Sequence, residues 1–252
     1  MESVWALFKK IHEKGLVYRG AKIMPYSTKC FTVLSNFEAS SNYKDIQDPS
    51  VLITFPLVDE ENTSLIAWTT TPWTLPSNLA AAVNPNMAYV KFENLETNQF
   101  YIVAESRFKE VLKMLKWKKV KTFDDKTMTV KEKVGEGEEY KEKEVKYTML
   151  GSELEGKAYE PLFEYFGEMR SNGCFRVITA DFVTSHDGTG IVHCAPGFGE
   201  EDYYACVKRG MIDPGYPPCP VDDSGNLTDP VTEFKGMYFK DADNHIKHNL
   251  KD

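Results

Sequence analysis

The chain has 252 residues, of which 42% are hydrophobic and 27% charged, and it carries a formal net charge of -8. That length makes one large domain or two small ones, with a core that needs no covalent staples. The acidic balance excludes a polybasic nucleic-acid binder, whose affinity rests on many Lys/Arg–phosphate contacts, but it leaves room for a protein that holds only the end of a nucleic acid in a pocket.

Residues 2–14 read as an amphipathic helix, because Val4, Leu7, Phe8 and Ile11 recur at i, i+3, i+4 and i+7 and Gly15 stops the run. Its apolar stripe has two readings: a face for a partner surface, or docking on its own domain. Residues 16–38 are extended and rich in turns. Val51 to Phe55 and Leu65 to Thr70, separated by Asp59-Glu60-Glu61-Asn62, predict a hairpin, and Tyr89 to Phe92 with Phe100 to Val103 predict a second. Residues 105–117 predict a helix with Phe108, Val111, Leu112 and Leu115 on one face.

Residues 118–147 are rich in Lys and Glu around Gly135-Glu136-Gly137-Glu138-Glu139 and predict an exposed, partly mobile insertion. Lys113, Lys116, Lys118, Lys119 and Lys121 fit a solvated face better than a nucleic-acid contact. Further strands are predicted at Cys174 to Ile178 and Gly190 to Cys194, then a helix from Gly199 to Lys208, a Pro-rich loop, a tight turn at Asp222 to Asn226 and a last helix from Asp241. Short strands that do not alternate with helices make this α+β, not a doubly wound sheet.

The cysteines are Cys30, Cys174, Cys194, Cys206 and Cys219, an odd number without a C-x-x-C pair. This argues against a disulfide framework or zinc ribbon and for reduced thiols in the cytosol. No apolar run approaches the roughly 20 residues that span a bilayer, and the start lacks the pattern of a signal peptide, so a soluble intracellular protein is expected. No nucleophile elbow, P-loop, H-E-x-x-H or G-x-G-x-x-G after a strand is present. His245 and His248 lie at i, i+3 without an evident third ligand, so no metal site is expected.

Two segments concentrate chemistry. In Trp68-Thr69-Thr70-Thr71-Pro72-Trp73-Thr74-Leu75-Pro76-Ser77-Asn78, three threonines close a strand and two prolines force the chain out of the sheet. Hydroxyls also cap turns and favour strands, so this cluster has a structural reading as well. In Gly188-Thr189-Gly190-Ile191-Val192-His193-Cys194-Ala195-Pro196-Gly197-Phe198-Gly199-Glu200-Glu201-Asp202-Tyr203, a strand runs through a glycine-rich loop into a helix. Asp202 falls in that helix's first turn, where the ionised carboxylate is favoured and suits a substrate ammonium; it also has the reading of an ordinary acidic first-turn residue.

Both segments resemble those of class I aminoacyl-tRNA synthetases with an inserted editing domain, the isoleucine, valine and leucine enzymes. Thr71 after two threonines and Trp73 after Pro72 resemble the isoleucine branch, eukaryotic cytosolic type. Supporting flanks are Gly15 to Gly20, Pro25 to Cys30, Tyr43 to Val51 and Phe239 to Asp243; the charged insertion has no counterpart. The resemblance implies a β-barrel-like core of short strands with peripheral helices. It also implies a division into 1–24 (connecting segment), 25–240 (editing domain, with the 118–147 insertion) and 241–252 (a helical segment toward a catalytic domain). No H-I-G-H or K-M-S-K-S segment occurs, which implies a monomeric piece without the aminoacylation machinery, to which ATP and magnesium belong.

The implied activity is hydrolysis of valyl-tRNA(Ile) and valyl-adenylate without a cofactor. The alternatives are a non-catalytic module binding the tRNA acceptor end, or the editing domain of a valine or leucine enzyme. The implied catalytic residues are Thr69, Thr70 and Asp202. Asp202 would hold the amino group. His193, Thr74 and Trp73 would line the pocket that excludes isoleucine. Thr69, Thr70 and Thr71, beside Trp68, would bond the adenosine, the ester or the water. Asn78 would order the loop or the ribose. Gly188, Thr189 and Gly190, with Ala195, would let backbone approach the ligand closely.

Overall fold

A computed structural model describes the chain except residues 19, 42, 46, 47, 49, 123–126, 134–139 and 252, and describes 127–133 and 140–146 by backbone alone. The elements in order are α1 (Glu2–Glu13), β1 (Tyr26–Ser27), β2 (Thr32–Val33), α2 (Asn36–Ala39), β3 (Val51–Pro56), β4 (Thr63–Thr69), β5 (Ala80–Val83), β6 (Ala88–Asn94), β7 (Gln99–Ala104), α3 (Phe108–Leu115), β8 (Val120–Lys121), β9 (Thr127–Lys133), β10 (Tyr140–Lys146), β11 (Thr148–Leu150), α4 (Gly151–Leu154), β12 (Arg176–Thr179), β13 (Ile191–Cys194), α5 (Glu200–Lys208) and α6 (Phe239–Asn249).

Both predicted hairpins form: β3 pairs antiparallel with β4, Val51 opposite Thr69, and β6 with β7, Tyr89 opposite Ala104. A parallel pairing of β4 with β7 joins them into one sheet of order β11-β6-β7-β4-β3, with β8 also on β6. Side chains alternate across a strand with period two, so β4 serves two cores. Leu65 and Ala67 enter the main core, while Ile66 joins Phe92, Val103 and Val111 beneath α3.

A second sheet has order β12-β5-β13, with β12 parallel and β13 antiparallel to β5. Its central strand, Ala80-Ala81-Ala82-Val83, is wholly buried. Alanine is depleted in strands, so sequence pattern does not reveal β5. The α+β class, with a core of short strands and peripheral helices, stands as expected. Among the described residues these strands form open sheets, with β12 and β13 on β5, and no closed barrel.

The charged insertion contains a hairpin that composition did not suggest: β9 and β10 pair antiparallel, Lys133 opposite Tyr140. Its predicted glycine-rich centre, Gly135 to Glu139, lies outside the described residues. Lys119 makes an exposed ion pair with Glu96 at 3.6 Å, of the kind that contributes little to stability. In α1 no residue is buried, and Val4, Trp5, Leu7, Phe8 and Ile11 are all exposed. Docking on its own domain is therefore not what this helix does. By contrast α6 is part of the fold, with Ala242, Asp243 and Ile246 buried.

Candidate functional site

The threonine-rich segment leaves the sheet as its prolines require. Thr69 ends β4, and Pro72–Ser77 form a 3-10 helix with Pro72 in its first turn, where a missing N–H costs nothing. The Trp73 amide, one of the donors that a helix start leaves unpaired, donates to Asp243 Oδ1 of α6 at 2.9 Å. Burial pushes the Asp243 carboxyl up, and the Trp73 amide opposes that. The Trp73 ring packs on Phe198 and Phe239, with centroids 4.8 and 4.6 Å away. Asp243, Phe198 and Phe239 were not singled out by sequence; a buried aspartate on the apolar face of α6 becomes visible only once the helix has docked.

A cavity of about 890 Å³ joins the two chemical segments. Trp68, Thr69, Thr70, Thr71, Trp73 and Thr74 line one side. Gly188, Thr189, Gly190, His193, Ala195 and Asp202 line the other. Residues of the β1–β2 hairpin, among them Tyr26 and Thr28, form a lip that sequence reading did not assign. The one expected ligand contact that the cavity omits is Asn78. It is 4% exposed, and its side chain is bonded to Ala80, His193 and Tyr159 behind the cleft.

His193 is central to β13 and 7% exposed. Nε2 lies 2.9 Å from Thr74 Oγ1, and Nδ1 lies 2.9 Å from Asn78 Nδ2. Asn78 Nδ2 also donates to the Ala80 carbonyl at 3.0 Å, and its Oδ1 accepts from the Tyr159 hydroxyl at 2.6 Å. Beyond Thr74 the hydroxyls continue: Thr74 Oγ1 donates to the Thr71 carbonyl at 2.9 Å and lies 3.3 Å from Thr71 Oγ1, which lies 3.2 Å from Thr69 Oγ1. Burial lowers the imidazole from its ordinary 6.5 to about 4.

This shift has a consequence for stability. The unfolded chain binds a proton on this histidine below 6.5 and the folded chain only below about 4, so stability is whole above 6.5 and falls as pH drops between the two. Urea unfolding of the wild type is expected to show that decline, and His193→Gln to flatten it. The raised Asp202 and Asp243 carboxyls act in the opposite sense but are common to both proteins. An equal decline in the variant would assign the titration to another group.

Asp202 sits in the first turn of α5 as predicted, and its Oδ2 accepts the Ala195 N–H at 2.9 Å. Burial pushes the carboxyl up from its ordinary value, against the helix terminus, and the Ala195 amide and the Cys194 thiol only partly oppose it. Desolvation of a charge outweighs a helix terminus here. The glycines are corrected. Gly190 has φ +76°, and a Cβ there would lie 2.3 Å from the Ala104 Cβ; the residue serves strand packing before any approach to a ligand. The Thr189 hydroxyl is spent on the Ile191 backbone, at 3.2 and 3.3 Å.

Among the described residues no group of three or more His, Cys, Asp or Glu is placed to hold a metal ion. All five cysteines are free. No described helix is long and apolar enough to cross a membrane.

The class of protein is set by sequence family: this fold and cleft are those of a part of a class I tRNA synthetase. The family of class I tRNA synthetases (I, L, M and V) matches residues 1–149, and the chain belongs to that family. Over its whole length it is 49% identical to the isoleucine–tRNA ligase of Tetrahymena thermophila and 46% identical to the cytoplasmic isoleucine–tRNA ligase of Mus musculus. It spans 21% and 18% of those proteins, about a fifth of their length. The crystal structure of GlLeuRS-CP1 matches 81% of this chain and 95% of its own, with a TM-score of 0.52 at 16% identity, a likeness of fold alone.

Proposed function

We propose that the chain hydrolyses the ester of valyl-tRNA(Ile), and valyl-adenylate, while excluding isoleucine by size. One observation carries the reading: a single cleft brings the threonines of the β4 end against His193 and Asp202. The similarity to isoleucine–tRNA ligases supplies the substrate. For these enzymes, themselves the standard illustration, one methylene in an apolar pocket discriminates by only about 1–3 kcal/mol, so a second, smaller site is needed.

Asp202 binds the substrate ammonium through its carboxylate. Hydroxyls of Thr69 and Thr70 hydrogen-bond the ester or the attacking water. A placed water attacks, and positioning with hydrogen bonding supplies the catalysis. His193, Thr74 and Trp73 form the wall that stops isoleucine. Asp187, Asp222 and Asp223 line the same cleft against Lys22, a balance that favours the approach of an ammonium. ATP and magnesium have no part in this step; we assign them to the aminoacylation part of the longer relatives. The apolar stripe of α1 we assign to contact with that remainder.

The test is deacylation of valyl-tRNA by the chain at high enzyme concentration, beside binding of a valyl-adenosine analogue. Release of valine with isoleucyl-tRNA left intact is the expected result. A folded chain that binds the analogue and releases no valine would instead be a module that only holds the acceptor end.

A further inference from the structure

The proton positions behind the cleft follow from groups that only accept. The Ala80 carbonyl has no hydrogen, so the Asn78 atom facing it at 3.0 Å is the NH2 group. The second hydrogen of that group then points at His193 Nδ1, 2.9 Å away, and Nδ1 must carry the lone pair. A neutral imidazole with Nδ1 as acceptor holds its hydrogen on Nε2. Nε2–H therefore donates to Thr74 Oγ1 at 2.9 Å. The Thr74 hydroxyl hydrogen is directed to another group without hydrogens, the Thr71 carbonyl at 2.9 Å. Thr71 Oγ1 then donates to Thr74 Oγ1, across 3.3 Å. Thr69 Oγ1 accepts the Thr71 amide at 3.1 Å and, with the Thr71 hydrogen turned to Thr74, supplies the hydrogen of its own 3.2 Å contact with Thr71 Oγ1.

The other end of this chain is Tyr159. It is wholly buried and does not line the cleft. Its ring is held against Phe55, with centroids 4.7 Å apart, and its hydroxyl donates to Asn78 Oδ1 at 2.6 Å. Burial keeps the phenol protonated, so it acts as a donor at any working pH. Without that donor Asn78 Oδ1 is a buried acceptor with nothing to accept, and the amide loses one of the bonds that define its orientation.

We propose that Tyr159 is a positioning residue: through Asn78 it helps to hold His193 in the Nε2–H form, and so sets the direction of the hydroxyls that line the cleft from Thr74 to Thr69. This rests on the hydrolytic reading for its effect on rate, while the order of protons is independent of it. It also means that His193 has no lone pair left to act as a general base. The imidazole is a wall whose face is set from behind.

The experiment combines nitrogen-15 NMR of His193 with steady-state hydrolysis of valyl-tRNA, for the wild type, Tyr159→Phe and Thr74→Val. The wild type is expected to show the Nε2–H signature. Tyr159→Phe keeps the ring and its packing; it should populate the Nδ1–H form and lower kcat by roughly three- to tenfold, the scale of one lost hydrogen bond, with KM unchanged because the residue touches no ligand. Thr74→Val removes the acceptor at the cleft end and should leave the Nε2–H form in place, because Asn78 decides it.

A wild-type Nδ1–H or charged imidazole overturns the proposal outright, as does a Tyr159→Phe chain with both the wild-type signature and the wild-type kcat. A changed tautomer with unchanged kcat overturns the positioning role. A wild type that shows the Nε2–H signature and hydrolyses nothing sinks the hydrolytic reading alone, and the relay is then decided by the spectra of the two variants.

Discussion

An Asp202→Asn chain is expected to lose most of its affinity for a valyl-adenosine analogue while keeping its fold. The amide oxygen still accepts the Ala195 N–H that Asp202 Oδ2 accepts at 2.9 Å, so the loop stays tied, and only the charge goes. A hydrogen bond to a charged partner contributes about 1.5–3 kcal/mol, which corresponds to a loss of roughly 10- to 150-fold. The burial that pushes this carboxyl up also removes water that would screen an arriving ammonium. The wild-type affinity should therefore fall as pH drops through the raised Asp202 value, because the protonated acid no longer attracts a cation, and the variant should show no such fall. Calorimetric titration across pH measures both. Equal affinity in the two proteins would place the amino-group anchor elsewhere.

His193→Ala should act on specificity and stability together. The side chain lines the cleft, so its removal opens the wall, and isoleucyl-tRNA becomes a substrate. The lost discrimination is that of one methylene, about 10- to 200-fold. The same change leaves an Asn78 hydrogen without its acceptor, while Thr74 Oγ1 keeps its bonds to Thr71. An orphaned buried polar group costs about 1–3 kcal/mol, so a loss on that scale is expected in urea unfolding, less whatever water entering from the cleft restores. Parallel deacylation of isoleucyl- and valyl-tRNA decides the first point. Continued rejection of isoleucine would assign the size limit to Thr74 or Trp73.

What separates these residues in sequence is what makes them hard to read there. Thr69 to Thr74 and His193 were both visible as unusual segments, one through its prolines and the other through its glycines, yet nothing in either names its partner. They meet because β13 pairs with β5, Cys194 opposite Ala80, and β5 follows directly on the 3-10 helix that carries Thr74 and on Asn78. That strand is four small residues with no pattern of its own. It becomes a strand because the space between two sheets accepts only small side chains on both of its faces, a tertiary condition that no local propensity encodes. Tyr159 gives no sequence signal at all: it reads as one more core aromatic until its hydroxyl is seen 2.6 Å from Asn78.

The sequence by itself determined the elements whose cause is local. Short apolar, β-branched and aromatic runs on either side of polar loops specified both hairpins, a 3.6-residue period specified α1 and α3, Pro72 and Pro76 ended β4, and the order of threonines, glycines and Asp202 pointed to the synthetase editing family. The tertiary structure alone decided three things. It left the sheets open, because β5 sits between β12 and β13. It pushed the Asp202 carboxyl up and His193 down, because burial removes water that neither residue's neighbours in sequence can exclude. And it gave His193 a defined tautomer, because the groups that dictate it, Ala80, Asn78 and Tyr159, reach the imidazole only when separate strands and loops close around one core.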